Sequence, residues 1–569
     1  MIKRIVARWR SDNKVSAVQI NQADDASPFR DTNKPSSQTP TLTIRGSTTQ
    51  AEQQPPTATT PTHVYTANSL DIWMLGITIV IGGQYFSWNS GLSAGVYSYL
   101  AGYVLVATAY VALCCCNAEI TGALPFAGGA YGLSRCTLGF LPGFLIGCCE
   151  SLQYIAYVAS TNIQFTEMLV SMWKPLSHVR PLMWLLFYVV ALAILIRGGR
   201  QLWLWNFLLG GVSLGVLLLY VFGSMAFVDY RANAVPDASK ATLNGFTGFI
   251  QALPLATWFF VGVEALGMSG DDVAKPKTMI PKAQVGCILT LVVTGALVYF
   301  VTISLPVDGG IDALQTSLTP LNTGFMLILN ASNTVATALS LPATFATGFG
   351  FIWCYGKLIY AMSCSKLLPG DLSRVTKDSK TPYMALIAGS VVGYFICFAA
   401  YFVPAVSEHT FIVCITSAFC SYMGQSIGYI LLRRSFNQIK SSAFYNPFGI
   451  FGAIYSMCVW MLGIVSVVAF QGNGGIEIGV FMATVSMLFA FYMLVARKRQ
   501  VFSSQEHKVL LVAHISKFNQ RKRQSTKLAK SSAQKTTKMT VSTDSGRRAW
   551  MRSATKVVPI NKHTEIEEL

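Results

Sequence analysis

The chain has 569 residues, 52% of them hydrophobic and only 12% charged, with a mean hydropathy of +0.46. A soluble globular domain carries roughly a quarter charged residues, so an ordinary soluble fold is excluded. The net charge of +18 divides unevenly: residues 1–70 hold 8 basic and 5 acidic residues, 71–496 hold 18 and 15, and 497–569 hold 17 and 5. The basic excess is a property of the C-terminal tail and makes no case for a nucleic-acid partner.

Met1–Arg10 reads MIKRIVARWR and lacks the apolar stretch of a signal peptide. The next sixty residues are rich in Thr, Pro, Gln, Ser and Asn and cannot bury enough surface to fold. Residues 1–70 are therefore expected to be a disordered cytoplasmic tail. Twelve apolar segments follow, at 71–92, 98–120, 138–170, 181–197, 202–227, 248–269, 283–306, 330–364, 383–404, 410–434, 449–470 and 476–496. A helix needs about 20 apolar residues to cross the hydrocarbon core. With both tails cytoplasmic, thirteen Lys and Arg residues fall in inner loops and four (Lys174, Arg180, Arg231 and Lys240) in outer ones. That asymmetry obeys the positive-inside rule. Residues 497–569 form a basic cytoplasmic tail. Its QRKRQ cluster at 520–524 suits either a solvated segment or contact with anionic lipid, where each cation contributes about 1 kcal/mol.

The first span contains IVIGGQYFSWNSG at 79–91, with Gly82 and Gly83 halfway along and Gln84, Tyr85 and Asn89 close behind. Unpaired backbone groups are tolerated at membrane depth only where protein or a water-filled cavity surrounds them. Five spans later WFFVGVEALGMSGDD (258–272) places Gly262 and Glu264 mid-span. Two interrupted helices in corresponding positions predict an inverted five-plus-five repeat with a substrate site between the breaks. The alternative is that these glycines merely allow close helix packing. Phe260, with Trp258 and Phe259, offers aromatic faces at the same depth for packing, gating or a cation–π contact.

In the third span Glu150, Gln153, Tyr154, Tyr157, Thr161 and Gln164 recur at 3–4 spacing and share one helix face. Intramembrane acids are expensive and read as functional by default; Glu150 and Glu264 are the two deep ones. Glu150 either meets a substrate ammonium or belongs to a polar packing seam. Glu264 pairs with a substrate ammonium, accepts a coupling proton, or caps amides freed at the break. Ser340 and Thr344 in the eighth span are candidate sodium ligands, or hydroxyls bonded to their own backbone. Asn330-Ala-Ser332 is an outer-side glycosylation match.

No spaced Cys/His set has metal-ligand spacing, and the thirteen cysteines between Cys114 and Cys458 read as small packing residues. Gly128 and Gly129 neither follow a strand nor precede a Lys-Ser/Thr pair, so 123–135 is not a phosphate loop. No nucleophile–base–acid set marks an enzyme. Catalytic residues, metal sites and cofactors are therefore not expected.

The stretches ALPFAGGAYGLSR (123–135), WFFVGVEALGMSGDDVAKPKTMIPKA (258–283) and YGKLIYAMSCSKLLPGDLSRVTKDSKTP (355–382) resemble the amino acid–polyamine–organocation transporters, over roughly residues 70–497. GGQYFSWNSG (82–91) and GFLIGCCESLQY (143–154) are more similar to ethanolamine permeases than to ordinary amino-acid permeases. The resemblance implies an all-α membrane protein of twelve helices, with a LeuT-like inverted repeat, broken helices 1 and 6, and rocking-bundle alternating access. It makes 123–135 gating apparatus. It implies a secondary transporter for a small amine such as ethanolamine, bound by Gly82, Gly83, Gln84, Tyr85, Asn89, Glu150, Gln153, Tyr154, Phe260, Gly262 and Glu264; the two long tails, which look like eukaryotic regulatory extensions, make the plasma membrane the expected location. The alternatives are an amino-acid permease or a transporter-like membrane sensor. Gln84 and Gln153 stand where the bacterial pattern is commonly acidic, and Asp271-Asp272 replace a glutamate pair. Some relatives use a fifth-span lysine in place of sodium; the segment 202–227 has none. A proton is favoured over sodium as the coupling ion.

Overall fold

The computed structural model describes residues 65–126, 128–235, 241–435, 443–471 and 476–507, together with 511, 525 and 526. Nearly all of the N-terminal tail, and the 520–524 cluster, lie outside the described residues. Each expected span is occupied by helix. Helix α1 (Ser69–Val80) tightens into a 3-10 segment, Ile81–Gln84, and a second such segment, Trp88–Ala94, follows after Tyr85–Ser87. Then come α2 (Val96–Ala123), α3 (Gly129–Thr137), α4 (Phe140–Met172), α5 (Arg180–Arg197) and α6 (Gly199–Ser224). The sixth span is α7 (Gly245–Ala252) continued by 3-10 segments Leu253–Phe259 and Val263–Asp271. Helix α8 (Pro276–Ile303) is followed by the short α9 (Gly310–Thr316) and α10 (Asn322–Leu329). The chain continues through α11 (Asn333–Cys364), α12 (Tyr383–Phe402), α13 (Pro404–Ser435), α14 (Gly449–Ala469) and α15 (Ile476–Phe491).

By length and apolarity nine helical stretches among the described residues can cross a membrane. The bent pair Ser69–Gln84 and Trp88–Ala94, kinked by 46°, makes a tenth. Helix α4 is long enough, at 33 residues, but less apolar than those nine. The reason is chemical. Helix α4 turns a polar seam inward, with Glu150 and Gln153 buried, and α13 likewise buries Ser417, Ser421 and Gln425. A span whose polar side chains face protein need not be apolar along its length. The seventh span begins at Pro276, seven residues before the apolar run. Proline at the first helical position is preset for helix and gives up no hydrogen bond there.

The broken spans sit at the centre. Of the sixth-span window 83% is buried, against 67% for α2 and α11 and 6% for Ile478–Arg499. This is where a membrane fold must keep non-helical backbone, because lipid offers no partners. Entry to the first span is fixed by a capping box. Asn68 accepts from the amides of Leu70 and Asp71, and Asp71 accepts from Asn68 N and Tyr65 Oη. One short parallel bridge, Ala67 with Val273, ties that entry to the exit of the sixth span, with Ala67 N donating to Asp272 O at 2.8 Å. Asn330 lies exposed in the turn between α10 and α11. Beyond the last span residues 501–507 pack on the core, although they fall inside the range expected to be tail. Val501 N donates to Ser365 O at 3.0 Å.

Candidate functional site

The two breaks touch. In the first span the chain turns at Tyr85–Ser87, just after the glycine pair, with Ser87 held at φ +68°. Gly82 O accepts from the amides of Tyr85 (2.8 Å) and Phe86 (3.2 Å), and Gly82 N donates to Thr347 Oγ1 of α11 at 2.8 Å. Gly83 packs so tightly on the sixth span that a Cβ there would lie 1.8 Å from the Trp258 carbonyl oxygen. In the sixth span the amides of Phe260 and Val261 both turn back to Thr257 O at 2.9 Å. Gly262 then takes φ +99°, a conformation glycine adopts without steric cost. Its amide is freed by the break and donates to Glu264 Oε2 at 3.0 Å. Glu264 thus does cap the broken helix.

The other oxygen of Glu264 gathers three side chains. It accepts from Gln153 Nε2 (3.2 Å) and Tyr154 Oη (3.2 Å) on α4, and from Tyr422 Oη (3.1 Å) on α13. Tyr154 Oη lies equally close to Glu150 Oε1, at 3.2 Å. A phenol has a single proton to donate, so this hydroxyl serves one carboxyl group at a time. Both acids are buried, Glu150 at 1% exposure and Glu264 at 4%. The α4 stripe is accordingly buried from Glu150 to Thr161, with Gln164 half-buried. Tyr154 and Tyr157 also stack on Phe351, with centroids 5.8 and 5.2 Å apart.

Five of the expected site residues therefore converge: Glu150, Gln153, Tyr154, Gly262 and Glu264. Gly82 and Gly83 form the facing wall. Phe260 packs against Tyr103 and Tyr110 at 5.4 and 5.5 Å. The remaining three are bound to backbone carbonyls of other helices and loops. Gln84 Nε2 donates to Leu291 O (3.0 Å) and Tyr85 Oη to Ser213 O (2.6 Å). Asn89 Nδ2 reaches Leu314 O (2.7 Å), Gln315 O (3.3 Å) and Ser317 O (2.9 Å) at α9. Thr344 Oγ1 donates to Ser340 O of its own helix at 3.0 Å. Tyr422 was not expected. Its signal was a polar seam in the tenth span, of the same kind that marked the third.

A cavity holding about 830 Å³ of empty space, part of it open to solvent, leads from Glu264 and Gly267 toward the face that carries α3. Thr121 of α2, Gly129 and Cys136 of α3 and Gln425 of α13 help to line it. In the expected topology this face is cytoplasmic. Toward the opposite face the rings of Trp88, Tyr99, Tyr103, Phe259 and Tyr299 form one buried cluster, with centroids 4.9 to 6.2 Å apart. The arrangement offers paired carboxyl groups, phenol donors and aromatic faces beside a partly enclosed cavity walled by α3.

Comparison with known proteins agrees with this architecture. The family model described as amino acid permease matches residues 71–501. A branched-chain amino acid permease of Bacillus subtilis is 26% identical over 56% of this chain and 71% of its own length. A methylthioribose transporter of the same organism is 24% identical over 70% of this chain and 87% of its own. A lysine-specific permease of Lactococcus lactis is 24% identical over 71% and 84%.

Proposed function

Because the chain belongs to the amino acid permease family, we propose that it moves a small amine such as ethanolamine across the plasma membrane by alternating access. The observation that carries this reading is the meeting of Glu150 and Glu264 through Tyr154 beside the sixth-span break. A cationic ammonium bound there finds carboxyl oxygens, and desolvating a charge is tolerable only when it is paired. Of the two first-span amides that a substrate carboxylate would use, those of Gly82 and Gly83, Gly82 N is already given to Thr347. That favours a substrate without a carboxylate. Glu264 also binds the coupling proton in one state of the cycle, in preference to a sodium mechanism, and both tails are cytoplasmic.

An amino-acid substrate is the second reading, favoured by the names of the branched-chain and lysine-specific relatives. It requires Thr347 to release Gly82 N. The methylthioribose relative shows how widely substrates range among proteins similar to this one. Uptake of labelled ethanolamine into proteoliposomes, competed by unlabelled ethanolamine, lysine and leucine, separates these readings. Competition by ethanolamine alone is expected. Inhibition by the amino acids at lower concentration than by ethanolamine would replace the first reading with the second.

A further inference from the structure

Residues 501–507 carry contacts that the site described above does not use. Glu506 is fully buried. Its Oε1 accepts from Tyr131 Oη at 2.9 Å and lies 3.3 Å from Arg135 Nη1, and neither side chain of that ion pair is exposed. Its Oε2 accepts from Ser365 Oγ (2.8 Å) and Ser503 N (2.7 Å). Arg135 also donates to Tyr131 Oη (2.5 Å) and Val501 O (2.9 Å), and its guanidinium lies over the rings of Phe140 and Phe502. Gln505 Nε2 reaches both carboxyl oxygens of Asp271, at the end of the sixth span, at 2.7 and 2.8 Å. A buried charge is retained where a counter-charge and hydrogen bonds satisfy it, and Glu506 has both. One short segment beyond the last span thus holds α3, the end of α11 and the end of the sixth span together.

The first turn of α3 also meets the site. The backbone amides of Ala130 and Tyr131 face the Glu150 carboxyl group. Glu150 in turn shares Tyr154 with Glu264. Helix α3 also forms a wall of the cavity that leads from Glu264. A continuous set of contacts therefore runs from Glu506 through α3 and Glu150 to the sixth-span break.

We propose that residues 501–507 are a latch that holds α3 across the inner cavity, with Glu506 as the positioning residue that sets how readily the site opens to that face. The proposal rests on the reading of the Glu264 region as the transport site. Releasing the latch frees α3 and favours the state open to the α3 face. Substrate arriving from the opposite face then meets fewer competent molecules, and its apparent affinity falls by that fraction.

The test uses the full-length protein in lipid and two variants. Glu506→Ala removes every contact of this side chain; Glu506→Gln keeps one acceptor oxygen, enough for Tyr131 or for Ser365 with Ser503 N, and leaves Arg135 without its counter-charge. Hydrogen exchange of the amides of residues 129–137 needs no ligand. It is expected to be about tenfold faster in Glu506→Gln, with α12 unchanged. Transport of labelled ethanolamine or lysine gives the second readout. KM from the outer face is expected to rise roughly fivefold while KM from the α3 face falls. A merely structural segment would lower the amount of folded protein and leave the ratio of the two KM values fixed. Unchanged exchange in α3, or an unchanged KM ratio, overturns the latch. If neither ligand is carried, the transport reading fails and the exchange comparison alone decides the latch. If Glu506→Ala fails to insert, Glu506→Gln decides it by the same criteria.

Discussion

Gly83→Ala is expected to cost substrate transport roughly 5- to 150-fold, and Gly83→Leu to abolish binding, with both proteins still inserted in the membrane. The cause is the carbonyl of Trp258. A Cβ at position 83 would lie 1.8 Å from that oxygen and 2.8 Å from its carbon. Both are backbone atoms of the broken sixth span, so no side-chain rotation relieves the clash. Overpacking a well-packed interior costs about 1–3 kcal/mol, which sets the range given for alanine. The strain falls where the two breaks meet. Gly211 is the matched control, because a Cβ there meets nothing within 4 Å. Gly211→Ala is expected to transport normally. Wild-type affinity in Gly83→Leu, read by binding of labelled substrate to purified protein, would reduce the glycine pair to incidental packing.

The second large effect is expected at Glu264. Four donors converge on its carboxyl group, from Gly262 N, Gln153, Tyr154 and Tyr422. Glutamine at this position keeps one acceptor oxygen, and the two tyrosine hydroxyls can turn to accept from its amide. Glu264→Gln should therefore preserve the break and the fold while losing the ability to bind a proton. Concentrative uptake driven by a proton gradient is expected to disappear, with accumulation falling to equilibrium. Exchange of labelled for unlabelled substrate is expected to continue. Both are measured on the same proteoliposomes with and without the gradient. Full proton-driven accumulation in the variant would leave Glu264 the cap of Gly262 and nothing more.

The spans were legible because a membrane imposes a length on apolar runs, and the helices fall where those runs do. Where a span is less apolar, as α4 is, the polar residues responsible form a buried seam, and α13 buries one too. The seam on α4 was readable from its 3–4 spacing, and the one on α13 followed the same pattern without being singled out. The sixth-span break was legible at Gly262, whose positive φ favours glycine. The first-span break was displaced. The glycine pair marks the close approach of Gly83 to Trp258, whereas the chain turns a few residues later around Ser87. Sequence cannot separate these two uses of glycine, since one needs dihedral freedom and the other only the missing side chain. Gln84, Tyr85 and Asn89 were grouped with the site by proximity in the chain. Their partners, Leu291, Ser213 and Leu314, are more than a hundred residues away. The Arg135–Glu506 pair was illegible for the same reason. Each residue alone reads as an ordinary loop charge, and only the folded chain buries them together.

The claim that this chain is a carrier, and not a sensor that binds its ligand in place, is tested most directly by counterflow. Purified wild-type protein is reconstituted into liposomes loaded with unlabelled ethanolamine and diluted into trace labelled ethanolamine, with no ion gradient imposed. The account predicts a transient accumulation of label above equilibrium, absent from empty liposomes and from Gly83→Leu. Binding of labelled ethanolamine to the purified protein without any counterflow would contradict it.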